Sequence, residues 1–162
     1  MKRLRSHTGT IIPDHDVPPW IMERMAAYVH ALCLFGWRFY VGMSDDPDGE
    51  GTADAVVLVD SKYFTATFLF CRDIANDEDG AHIILHELMH VALSPLCDAF
   101  DQSVRLFVDE YSNHVRVAEL REYGEERTIE SLVRALRPVL EPHVKKYMRE
   151  QRQAATPTKK VA

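Results

Sequence analysis

Apolar residues recur at helical spacing through Ile21, Met25, Val29 and Leu32, and the pattern turns to strict alternation at Trp37. Proline in a first helical turn sacrifices no hydrogen bond, so Asp16 with Pro18 and Pro19 predicts a helix start, and Gly36 predicts its stop. Trp37, Phe39, Val41 and Met43 then alternate with Arg38, Tyr40 and Gly42, the period of a half-buried strand. The segment "SDDPDGEGTAD" has the composition of a calcium loop without its ordered ligand spacing, and reads as a solvated connection. "AVVLVD" at 55–60 is a continuous apolar run suited to a strand buried on both faces. A third strand follows at 63–70, with Phe64, Ala66, Phe68 and Phe70 on its core side and Thr65, Thr67 and Leu69 opposite.

Past this point the period is helical. "ANDEDG" caps a helix expected from about Ala81 to Leu93, ending before Pro95. A long helix is predicted near 103–122, broken at Gly124; another runs from Glu125 to about Arg137, and a last piece follows Pro138 to Met148. Residues 1–16 read as an irregular lead-in and 150–162 as a disordered tail. One helix, three strands and then helices alone define an α+β domain over 17–149.

Composition narrows the classes. A chain of 162 residues suffices for one domain with a real core. The formal charge of −6 argues against a nucleic-acid partner, which calls for a basic surface. Cys33, Cys71 and Cys97 are odd in number and lie in apolar contexts, so they read as small buried hydrophobes rather than a disulfide framework. The start "MKRLRSHTGTIIPDHD" lacks a secretory apolar run, and the apolar "ALCLFGWRFYV" is short and carries Arg38. No membrane span and a cytoplasmic location, in a cell or in a virus-infected host, are the expectations.

The chemistry concentrates in "GAHIILHELMHVAL", Gly80 to Leu93. At about 100° per residue, His86 and His90 project from one helix face about one turn apart, close enough to grip one ion. Ile84, Leu88 and Val91 cover a second face, and Leu85, Met89 and Ala92 a third, so the helix reads as central and buried. Burying ionisable groups without compensation is costly. A zinc ion held by two neutral imidazoles supplies that compensation, with Glu87 placed to hydrogen-bond a water at the open position.

His-Glu-x-x-His on a helix, preceded by a helix and a small sheet, resembles the minimal core of the zincin metallopeptidases over roughly residues 18–137. The resemblance implies one zinc ion, His86 and His90 as ligands, Glu87 as general base, and a peptide or protein substrate. It also implies that the strand before the motif helix, here 63–70, lines the cleft and pairs with an extended substrate. The extended metzincin pattern is absent, because Leu93 and Leu96 stand where its Gly and third His belong. The gluzincin pattern takes its third ligand from a later helix. Glu126 in "ERTIE" fits, with Ile129 facing the core and Glu130 one turn on, able to orient a ligand histidine. Glu110 and His114 in "DEYSNH" are the alternatives, and an acid at a helix start is the plain reading of Glu125 and Glu126. "EERTIESLVRAL" also resembles the last helix of small phage-encoded metallopeptidase-like proteins. His82 reads as a solvent-facing residue or an outer partner of the cluster, and Tyr111 or Tyr123 as core packing or an oxyanion donor. The rival to an enzyme is a zincin fold kept as a zinc-stabilised binding or structural module without turnover.

Overall fold

The computed structural model describes residues 9–107 and 111–155, without the side chains of 105–114. Its elements are β1 (Thr10–Pro13), α1 (Pro19–Ala31), β2 (Arg38–Ser44), β3 (Ala55–Asp60), β4 (Thr65–Cys71), α2 (Glu78–Phe107) and α3 (Tyr111–Ala155). The fold is α+β, with a four-stranded mixed sheet and three helices. Strand order is β1-β2-β4-β3; β2 runs parallel to β1 and β4, and β3 runs antiparallel to β4.

Phe39, Val41, Ala66, Phe68 and Phe70 point from the sheet into one core, where they meet Ile21, Met25 and Tyr28 of α1 and Ile84, Leu85 and Leu88 of α2. The opposite face keeps Tyr40 and Leu58 exposed. α3 lies over the helical side, inserting Ile129, Val133 and Val144. Their spacing follows one helical stripe. Arg24 and Tyr28 of α1 both reach Glu141 and so fix α3 from the other end.

The lead-in contains β1, which the pattern missed because its four residues bury almost nothing. α1 begins at Pro19 as expected but ends five residues before Gly36, with Cys33 in the left-handed region at φ 56°. The 55–60 strand is not buried on both faces: β3 is an edge, and Leu58 is 66% exposed. The 63–70 strand, expected to leave a free edge, is β4 and lies between β2 and β3. Phe64 is exposed outside it. None of the three cysteines is buried; Cys33 is exposed and the other two are half-buried.

The helices are longer than their breakers suggested. α2 passes through Pro95, whose missing N–H would leave the Val91 carbonyl without its usual partner. The Ser94 hydroxyl donates to that carbonyl at 3.0 Å. α3 is continuous through Gly124, Pro138 and Pro142, and includes 150–155 of the expected tail, where Arg152 pairs with Glu23 of α1. Residues 78–104 of α2 are long and apolar enough to cross a membrane by composition. Here their apolar side forms the core.

Candidate metal centre

Asp77 starts α2 by accepting the amides of Asp79 and Gly80 at 2.9 and 3.0 Å. Gly80 packs so closely on the Ala75 carbonyl that a Cβ there would clash with it. The helix enters its course under the sheet from this fixed point. Its apolar faces are spent on the core, which leaves the stripe of His82, His86 and His90 turned toward α3.

α3 answers with three carboxylates, Glu125, Glu126 and Glu130. His86 Nε2 lies 3.3 Å from His90 Nε2. Glu126 presents Oε2 to His86 and Oε1 to His90, each at 3.2 Å. Donors held ~2.0–2.1 Å from one tetrahedral zinc stand ~3.3–3.4 Å apart. The two imidazole nitrogens therefore stand at the spacing of zinc ligands, and the Glu126 carboxylate supplies a third donor within reach of both.

The other ring nitrogens are also engaged. His90 Nδ1 lies 3.1 Å from Glu125 Oε1, and Arg121 holds the second oxygen of that carboxylate at 2.7 Å while reaching Asp101 of α2 at 3.1 Å. His86 Nδ1 faces Glu130 Oε2 at 3.8 Å, and His82 Nε2 meets the same oxygen at 2.9 Å. A proton on Nδ1 of His86 and His90, directed at a carboxylate, leaves both Nε2 lone pairs free for a metal.

Electrostatics fit the same role. Burial, then the neighbouring His90, pushes His86 below the ordinary imidazole range, which favours the neutral ligand form. Glu87 is the one charged residue in the buried core among the described residues. Burial pushes its carboxyl up to about 7, with His90 opposing the rise and Glu126 adding to it. Burial also acts on Glu130, but hydrogen bonds from His82 and Arg134 hold it below the usual carboxylate range.

The structure brings His86, His90 and Glu126 together. Glu110 lies outside the described residues, as do the side chains of Tyr111 and His114. Tyr123 is exposed, with the Arg127 guanidinium over its ring at 5.6 Å. Sequence reasoning missed Glu125 as the partner of His90, and Arg121 behind it. It also left open His82, which binds Glu130. A signal was present in the spacing: Glu126 and Glu130 repeat on α3 the four-residue step of His82, His86 and His90 on α2. Comparison with models of known families, with curated proteins and with solved structures gives no match for this chain.

Proposed function

We propose that the chain is a small gluzincin-like zinc peptidase, with His86, His90 and Glu126 as ligands of one zinc ion and Glu87 as general base. The observation that carries this reading is the convergence of three side chains across two helices: His86 Nε2 lies 3.3 Å from His90 Nε2, and Glu126 offers a different oxygen to each at 3.2 Å. Zinc bound there would supply Lewis acidity to the attacking water and the scissile carbonyl. Glu87 follows His86 on α2 and is 8% exposed. A carboxyl raised to about 7 is matched to taking a proton from water near neutral pH and passing it to the leaving amine. A purely structural zinc closes its fourth position with another protein ligand and needs no base beside it.

The peptide part of the proposal rests on β3. Glu87 and Asp98 are eleven residues apart on α2, which returns the helix to within about 20° of the same face. The hydroxyl of Ser61, the residue after β3, donates to the Asp98 carboxylate. That contact ties α2 to the end of β3, an edge strand with no further strand beside it among the described residues. An extended peptide can add to such an edge through main-chain hydrogen bonds.

Glu87→Gln keeps the size of the side chain and removes the base. With zinc content equal to wild type, its hydrolysis of a mixed peptide library should fall ~100-fold or more. Equal hydrolysis by both proteins contradicts the role of Glu87. Absence of turnover in both, with zinc bound, would favour the zinc-stabilised module.

A further inference from the structure

His86 turns its two ring nitrogens toward two different donor sets. Nε2 faces His90 and Glu126. Nδ1 faces Glu130 Oε2 at 3.8 Å, and that oxygen lies 2.9 Å from His82 Nε2. In each set one donor atom per residue lies within 4.8 Å of the others. Three imidazoles therefore line one stripe of α2, with ring centroids 6.5 Å apart from His82 to His86 and 5.1 Å from His86 to His90.

We propose that His82, His86 through Nδ1, and Glu130 form a second seat for a divalent transition metal, zinc or cobalt, alternative to the centre at His86, His90 and Glu126. The inference shares His86 with the proposed catalytic centre and otherwise uses residues that centre does not need as ligands. Two imidazole nitrogens and a carboxylate oxygen are a zinc donor set in their own right.

The two seats exclude one another. A neutral imidazole has one lone-pair nitrogen, and its other nitrogen carries the proton. An ion on Nε2 of His86 places that proton on Nδ1, directed at Glu130. An ion on Nδ1 reverses the arrangement and withdraws His86 from His90 and Glu126.

The second seat is also the weaker. Arg134 holds Glu130 Oε1 at 2.6 Å, which leaves one oxygen for a metal and brings a positive charge beside it. The 3.8 Å separation at Nδ1 is wider than any spacing in the main centre. His82 lines an open groove of about 380 Å³ with Glu78, Arg134, Arg137 and Glu141, so this seat opens to solvent on that side.

The test titrates metal-free protein with zinc against a chromophoric chelator. His90→Ala removes a ligand of the main centre only, and should still bind one zinc per chain, more weakly than wild type. Adding His82→Ala should weaken that residual binding by more than ~100-fold, beyond the 10–100-fold expected for losing an outer partner. Glu126→Ala, alone and with His82→Ala, gives the same comparison through a different ligand, and circular dichroism establishes that each variant is folded. Residual affinity that is absent, or unchanged by His82→Ala, overturns the second seat. If wild type holds zinc and the single variants do not, the main centre stands and this seat falls. Zinc lost from wild type by His82→Ala but not by His90→Ala would leave the seat standing and contradict the main centre.

Discussion

Glu87 sits against the core with a carboxyl raised to about 7, and that placement has a measurable cost in the metal-free protein. Its folded pKa lies above the ordinary value of 4.5, so the folded state holds the proton more tightly than the unfolded one. The stability contributed by that proton is complete below about 4.5 and is lost as pH rises through about 7. At roughly 1.4 kcal/mol per unit, the loss reaches up to about 3 kcal/mol above neutrality. Metal-free Glu87→Gln should therefore melt with wild type at pH 4 and above it at pH 8; denaturant unfolding at the two pH values measures the gap. A constant gap would mean that Glu87 does not titrate as its burial requires. At this scale His86, Glu87 and His90 were legible because helix spacing alone puts them in reach of one another, whereas Glu126 entered through the resemblance to the gluzincin pattern. Glu125 was not legible. An acid beside a possible helix start has a sufficient local explanation, and only the placement of α3 against α2 shows that it faces His90.

Breakers misled the reading of elements because their local effects were compensated. Pro95 removes an amide, but Ser94 supplies a donor to the Val91 carbonyl and α2 continues. Ser94→Ala should cost about 1 kcal/mol by leaving that carbonyl unpaired. In a Pro95→Ala background the backbone N–H returns, so the same substitution should cost close to nothing. Equilibrium unfolding of the four proteins of this cycle gives the coupling. Additive effects would mean that the hydroxyl does not serve the proline. Gly124 caused a similar error, since α3 runs through it and a Cβ there would meet nothing within 4 Å. The run "AVVLVD" was found with its bounds correct and its surroundings wrong. Alternation gives the faces of a strand, whereas its neighbours depend on long-range pairing that no local pattern encodes. That is why the free edge fell to β3 rather than β4.

For the molecule as a whole, the candidate centre is the polar seam between α2 and α3, and it stands beside the apolar one. Ile129 is fully buried between Glu126 and Glu130 in sequence, so the contact that docks α3 also delivers its carboxylates. The α+β class could be read from the order of periods; the stacking of α3 over both other helices could not. An ion bridging α2 and α3 should stabilise the fold by about 2.7 kcal/mol at a hundredfold excess over its Kd. Chelation should then lower Tm by roughly 5–10 °C for a chain of this size, and an unchanged Tm would mean that no bound ion joins the helices. Anomalous diffraction at the zinc absorption edge, from crystals of the zinc-loaded protein, should give one dominant peak within ~2.2 Å of His86 Nε2, His90 Nε2 and a Glu126 oxygen. A dominant peak at Glu110 or His114, or no peak near His86, would contradict the account.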